Sequence, residues 1–163
     1  MAELLNPNEI FQTNFEPKVV NRFILYADGI PSFIVRKFDR PKLTQPRKAI
    51  DHINTQTYYK GKTVWGETSM ELYDPIVPAG SQAIMEWVRL GHESVTGRDG
   101  YMDFYKKDLT LNVVGPVGDK VEEWLLKGAF PVEVNFNSLD KTNDGDVLPI
   151  TITLSIDYAV LQF

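Results

Sequence analysis

The sequence predicts a mainly β domain, an antiparallel β-sandwich or barrel of six or seven strands with one flanking α-helix. Three observations predict it. Residues 150–160, Ile-Thr-Ile-Thr-Leu-Ser-Ile-Asp-Tyr-Ala-Val, alternate between a large apolar set and a small or polar set. A strand turns successive side chains to opposite faces, so this segment has one buried and one polar face. Shorter β-prone runs recur along the chain, punctuated by Gly, Pro, Asn and Asp. The one convincing helix is near 81–90; Val121, Trp124 and Leu125 also fit a helical face, but short turns on both sides of 120–127 favour a strand there.

Residues 1–17 contain Asn6, Pro7 and Pro17 and no clean period, so they read as an N-terminal arm before a domain over 18–163. Residues 20–27 are strand-like, Asp28 and Gly29 are a hairpin signal, and 32–38 return as a second strand. Residues 39–62 hold Pro41, Pro46 and Gly61 and form a long connection, a feature that is usually functional when ordered. A third strand, 63–72, ends at Asp74 and Pro75. In the helix, Ile84, Trp87, Val88 and Gly91 fall on one face, Ser81 is placed to cap it and Gly91 to close it. Strands are then expected at 108–114, 120–127, 130–136 and 149–160, with turns around Gly115, at Gly128 and Ala129, and at Asn143, Asp144 and Gly145. At ~3.3 Å per residue the eleven alternating residues span about 36 Å, long for a strand. Such a strand needs an extended sheet, and other subunits are the expected source of part of it.

Composition narrows the function. The chain has 163 residues, 43% hydrophobic and 24% charged, enough for one domain with a core of its own. No apolar run is long enough to span a bilayer, and the first residues lack the basic start and apolar stretch of a signal peptide. With no cysteine there is no disulfide framework and no thiolate chemistry, which fits a reducing cytoplasm. The net charge of -5 argues against general coating of nucleic acid, but it is unevenly spread. Residues 36–62 hold eight basic residues against Asp39 and Asp51, a net of +6, whereas 63–163 hold 7 basic and 16 acidic. The basic segment therefore wants an electrostatic partner, either nucleic acid or the acidic part of another copy.

No set of residues assembles an active site. Gly61, Lys62 and Thr63 look like the end of a phosphate loop, but Gln56 stands where that loop needs a glycine and a strand follows instead of a helix. Asp140 to Gly145 hints at a calcium loop, but its closing carboxylate would fall on Thr151, and Asn143, Asp144 and Gly145 already explain themselves as a turn. His52 and His92 have no carboxylate or second histidine at ligand spacing and read as surface residues. Glu122 and Glu123 face opposite ways on a strand and cannot form an acid/base pair. Trp65, Trp87 and Trp124 read as core or interface aromatics. The expectation is no catalytic, metal or cofactor residue. An enzyme using Asp99 and Asp103 is the weakest rival.

Four stretches carry a resemblance. Tyr59, Lys60, Gly61 and Lys62 lead into a strand; residues 65–74 precede a helix bearing Trp87. Gly128, Ala129, Phe130 and Pro131 follow a charged strand, and Leu154, Asp157 and Tyr158 form a Leu-x-x-Asp-Tyr ending. In this order they resemble the tail tube proteins of contractile-tailed bacteriophages, whose fold is shared with tubes of related injection machines; the resemblance covers 18–163. It implies a structural subunit of a phage tail tube, a virion protein assembled in the host cytoplasm. Such subunits form hexameric rings whose sheets join around a lumen, stack inside a sheath, meet baseplate proteins and conduct DNA without sequence-specific binding. A baseplate or tube-end protein of the same fold, or a monomeric small-barrel binding module, is the alternative.

On this reading the expected subunit contacts are Arg47, Lys48, Ile50, Ile53, Tyr58, Tyr59, Lys60 and Lys62 on the basic connection, and Leu154 on the last strand. The candidate lumen residues are the small polar set Thr151, Thr153, Ser155 and Asp157.

Overall fold

In a computed structural model, residues 6, 7 and 15–163 are described, so the expected arm over 1–17 falls almost wholly outside the described residues. The strands are β1 (Phe23–Tyr26), β2 (Val35–Phe38), β3 (Leu43–Thr44), β4 (Arg47–Asp51), β5 (Gln56–Lys60), β6 (Val64–Trp65), β7 (Thr68–Tyr73), β8 (Lys107–Val114), β9 (Lys120–Asn135), β10 (Pro149–Ser155) and β11 (Tyr158–Leu161). The helices are α1 (Gly80–Gly91) and a single turn, α2 (Met102–Tyr105). The main sheet has seven antiparallel strands in the order β1-β8-β9-β10-β7-β2, with β11 alongside β9. This is the mainly β fold with one principal helix that the alternation predicts.

Strand β9 organises the domain. Its first part pairs with β8 and β11, and residues 130–135 pair with β10. Two four-stranded half-sheets, β1-β8-β9-β11 and β9-β10-β7-β2, therefore share one strand. The sequence reading expected a turn at Gly128 and Ala129 between two strands; the chain instead runs through as one 16-residue strand that bends there. Gly128 takes φ +67, which only glycine adopts without strain, and this lets the strand pass from one half-sheet to the other.

The C-terminal segment breaks at the same level. Ile156 and Asp157 separate β10 from β11, and the Asp157 N–H donates to the Lys127 carbonyl at 2.9 Å. Ile150, Ile152, Leu154 and Ile156 are buried, as the alternation requires. Beyond the break the phase reverses. Ala159 is in the core, while Tyr158 and Val160, expected inside, are 49% and 39% exposed. An irregular residue exchanges the two faces of a strand, so the single strand expected over 149–160 is two.

Several smaller expectations also change. Gly29 makes its turn at φ +80, closed by the Ile30 N–H on the Ala27 carbonyl. The strands on either side of it do not pair as a hairpin, because β1 joins β8 and β2 joins β7. Strand 63–72 is interrupted at Gly66, whose N–H donates to the Lys42 carbonyl at 2.8 Å. Ser81 makes no side-chain cap for α1; its N–H donates to Asp74 Oδ1 at 3.1 Å, so a carboxylate from the end of β7 satisfies the helix start.

The core is one cluster filled from both half-sheets and α1. Met70, Leu72, Leu109, Leu126, Ile150, Ile152 and Leu154 are fully buried, and α1 inserts Ile84 and Trp87. The Trp87 indole N–H donates to the Tyr105 carbonyl at 2.7 Å, tying α1 to the chain entering β8. Leu154 was expected at a subunit contact. It sits in this core, on a strand paired with β7 on one side and β9 on the other, so it has no free edge to offer a neighbour.

Candidate functional site

The long connection expected over 39–62 is built from short ladders. Strands β3 and β6 pair at its base, and the Gly61 N–H donates to the Pro46 carbonyl where the chain leaves and returns. Between them β4 and β5 form a two-stranded hairpin separate from the main sheet, and all residues of both strands are exposed. Its tip closes through the His52 N–H on the Thr55 carbonyl at 2.8 Å, with His52 Nε2 2.9 Å from Thr57 Oγ1.

Register divides the expected contact residues between two faces. Lys48 lies opposite Tyr59 and Ile50 opposite Thr57, so Lys48, Ile50 and Tyr59 share one face. Arg47 lies opposite Lys60 and Ala49 opposite Tyr58, which puts Arg47, Tyr58 and Lys60 on the other. The Arg47 guanidinium stacks 4.5 Å from the centre of the Tyr58 ring, and the Tyr58 hydroxyl donates to Gln56 Oε1 at 3.1 Å. Ile53 stands at the tip, 99% exposed. Lys62 follows the hairpin and is exposed. Among the described residues none of Arg47, Lys48, Lys60 and Lys62 forms an ion pair, and the hairpin's own carboxylate, Asp51, accepts from Gln56 at 2.6 Å. The hairpin is thus a cationic, partly apolar projection whose two strands are exposed along their length among the described residues.

The candidate lumen residues do not stay together. Thr151 and Thr153 lie on the face of β10 that points away from the core, in rows with their sheet neighbours. One row is Lys37, Glu71, Thr151 and Asn135; the next is Ser69, Thr153 and Glu133. Ser155 continues that face at the end of β10. Asp157 leaves it. Past the strand break its carboxylate accepts two hydrogen bonds from Lys106, at 2.8 and 2.9 Å.

The open seam between β1 and β2 is bordered by a group that sequence reasoning missed. Glu122 is 5% exposed, and its carboxylate accepts from Lys18 and from the Trp124 indole. Arg40 Nη1 lies 3.5 Å away. Burial pushes the Glu122 carboxyl up, but the Lys18 and Trp124 hydrogen bonds and the charges of Lys18 and Arg40 outweigh it, and the net is a pKa below the ordinary 4.5. Lys18 comes from the segment before β1 and Arg40 from the segment after β2, so one carboxylate clasps the two chain segments that border the seam. Glu123 points the other way and meets Lys120 at 3.3 Å, in keeping with opposite faces on a strand. The only available signal was a glutamate in the inward phase of Glu122, Trp124 and Leu126.

His92 and Asp99 meet at 2.7 Å, a strap between the end of α1 and the loop after it. Among the described residues no three or more His, Cys, Asp or Glu converge as metal ligands, and no helix is long and apolar enough to cross a membrane.

Comparison with known proteins places the fold. No protein-family model matches the chain, and no curated protein matches it in sequence. Solved structures do match in shape. A chain of the sheath/tube terminator of an extracellular contractile injection system, PVC, superposes with TM-score 0.74 at 18% identity, covering 93% of this chain and 100% of that one. A chain of the PVC sheath-tube complex matches with TM-score 0.67 at 17% identity, over 98% and 99%. Hcp1 from Flavobacterium johnsoniae matches with TM-score 0.54 at 15% identity, over 86% and 94%. The chain has the tube-protein fold of contractile injection systems.

Proposed function

We propose that this protein is a non-catalytic structural subunit of a contractile-tail tube, assembling into stacked rings around a lumen. The observation that carries the reading is the β4–β5 hairpin, exposed along both strands and presenting Ile50, Ile53, Tyr58 and Tyr59 beside unpaired cations. An isolated two-stranded hairpin is marginal in water, so one that projects this far calls for a docking partner. Head-to-tail stacking is a heterologous contact whose two surfaces differ, and the acidic remainder of the chain supplies the complementary charge.

Ring closure falls to the open strand edges. Half-sheet β9-β10-β7-β2 ends on β2 at one side and on residues 130–135 of β9 at the other. Laying β2 of one copy along that part of β9 in the next makes a continuous sheet and leaves no edge to aggregate. The face carrying Thr151 and Thr153 then forms the channel wall, with Lys37 set against Glu71 and Glu133. DNA carries one charge per ~1.7 Å of duplex axis, and a polar, weakly acidic wall lets it slide instead of gripping it. The finer assignment is a phage tail tube of hexameric rings, assembled in the host cytoplasm, enclosed by sheath, seated on a baseplate and conducting DNA.

A second reading, a tube-end protein that caps a stack, is favoured by one observation. The PVC terminator and a chain of the anti-feeding prophage cap match with TM-scores of 0.74 and 0.73, against 0.67 for the sheath-tube complex.

Negative-stain microscopy of the purified chain at rising concentration tests both. Long hollow tubes support the tube reading, rings that fail to elongate support the cap, and a monomer at every concentration overturns both. Replacing residues 47–60 by a short Gly-Ser bridge should abolish tubes while leaving folded subunits; tubes of normal length would remove the hairpin from the assembly.

A further inference from the structure

Strand register fixes the end of the domain from which the β4–β5 hairpin leaves. Its connection starts after Phe38, which lies opposite Met70, and rejoins the sheet at Thr68, opposite Leu154. At the other end of the same half-sheet Tyr73 lies opposite Pro149, and Asn135 opposite Thr151. The connection between β9 and β10, residues 136–148, therefore sits at the end remote from the hairpin. The six residues of β7 hold the two ends about 17 Å apart.

That remote connection is built as a receptor. It borders a groove of about 850 Å³ whose walls include Tyr73, Leu139, Asp140, Asp146 and Val147. Leu139 is 85% exposed and Val147 60%. The loop is ordered by its own hydrogen bonds, with Asn143 Oδ1 accepting from the Gly145 and Asp146 N–H groups and Asp140 Oδ1 from the Thr142 N–H, each at 2.9 Å. A surface ordered in advance loses less entropy on docking. Residues 136–148 hold Asp140, Asp144 and Asp146 against Lys141. Among the described residues none of these three carboxylates forms an ion pair. The cation in the groove wall, Arg36, is engaged with Glu71 at 2.9 Å and lies over the Tyr73 ring.

One face of the hairpin matches this surface. Arg47 and Tyr58 stack on each other, and Tyr58 also bonds Gln56, so that face is satisfied within the hairpin. On the opposite face Lys48 forms no ion pair among the described residues, and Ile50 and Tyr59 are half exposed. Lys48 and Ile50 stand about 7 Å apart along their strand, a cation beside an apolar group. Asp140 next to Leu139 and Asp146 next to Val147 offer the complement.

We propose that the groove at 136–148 receives the Lys48, Ile50 and Tyr59 face of the β4–β5 hairpin of a second copy, with Ile50 over Leu139 and Val147 and Lys48 facing Asp140 and Asp146. The assignment rests on the reading of the chain as a stacking subunit and names the surface its hairpin meets. Donor and acceptor lie at opposite ends of one domain, so the contact is head-to-tail and repeats along a stack. The other acidic, apolar segment, 93–105, lies toward the hairpin's own end. Its Tyr105 packs edge-on against Phe130 at 5.5 Å, and Phe130 lies opposite Ser155.

The absence of cysteine makes the test clean. Thr57→Cys places a thiol opposite Ile50, and Ser138→Cys places one in the groove wall, both sparing the apolar anchors and the charges. The two single variants are mixed during assembly and treated with a short bis-maleimide, and the linked peptides are identified by mass spectrometry. A link between positions 57 and 138, which can form only between different chains, is the expected result. Lys48→Glu in the donor should lower its yield about two- to fivefold, the worth of one exposed ion pair, and Asp146→Lys in the acceptor should restore it. Ser94→Cys, used in place of Ser138→Cys, reports on the 93–105 segment; a link from 57 to 94 with none to 138 overturns the proposal. Tubes or rings seen by microscopy with no link between 57 and 138 overturn it while sparing the assembly reading; absence of both overturns the two together.

Discussion

Replacing Gly128 by Ala probes the bend on which both half-sheets depend. The first cost is backbone: Gly128 lies at φ +67, where a side chain costs roughly 1–2 kcal/mol. The second is contact, since an added Cβ would run into the Asp157 carboxylate and lie 3.2 Å from the Asp157 Cβ. That carboxylate is held in place by Lys106, so it must swing away and lose both hydrogen bonds. The Asp157 side chain is 50% exposed, which limits the ion pair to about 0–1 kcal/mol. Together the substitution should cost about 1–3 kcal/mol. At about 2–4 °C per kcal/mol for a domain of this length, that is a fall of about 2–12 °C in Tm. Denaturant and thermal unfolding, both at a concentration where the chain is monomeric, give the value free of assembly linkage. The double variant with Asp157→Ala separates the contributions, because Gly128→Ala in that background should retain only the backbone part. A loss under about 0.5 kcal/mol in the otherwise native chain would refute the bend as a specified feature.

Two other outcomes are expected. Glu122 has a depressed pKa in the folded protein, so its stabilisation is complete above pH 4.5 and is lost as pH falls below that through the folded value; Glu122→Gln should flatten this acid limb in urea titrations. An unchanged slope would mean the clasp is not formed in solution. Thr153→Pro removes a ladder donor from a strand paired on both sides while sparing the core, and should abolish the folded, assembling state. Native tubes from that variant, seen by microscopy, would refute the position of β10.

The fold class was legible because the period of two is a local property. Ile150, Ile152 and Leu154 announce a buried face whatever they pack against. The bends were not legible, because their cause is nonlocal. Gly128 reads as a turn residue in either arrangement; only the half-sheet that β9 must enter makes it a bend within one strand. The same holds for Ile156 and Asp157, where β10 hands over to β11 and the pattern of Tyr158, Ala159 and Val160 continues on paper but reverses in space. Asp28 and Gly29 signal a turn correctly and a hairpin wrongly, since the turn is local chemistry and the pairing of β1 and β2 is decided by which half-sheet each strand joins.

The candidate site divides along the same line. Arg47, Lys48, Tyr58 and Tyr59 could be picked out because cations and apolar groups with no core position are conspicuous in sequence, and the hairpin leaves them exposed. Their division between two faces comes from register alone. The Glu122 clasp lay beyond reach because its partners are Lys18, 104 residues away, and Arg40. Both features bear on the same physical problem. A half-sheet with open edges and an exposed two-stranded hairpin is a poor monomer, since unpaired backbone groups and exposed Ile53 and Tyr59 invite indiscriminate pairing. A clasp across the seam holds the edges of β1 and β2 at a set distance, and the hairpin carries unpaired cations that disfavour docking on a like hairpin. On the proposed reading, what remains favourable is a partner with a complementary edge and opposite charge, and another copy of this chain offers an open strand edge and a net acidic remainder over 63–163.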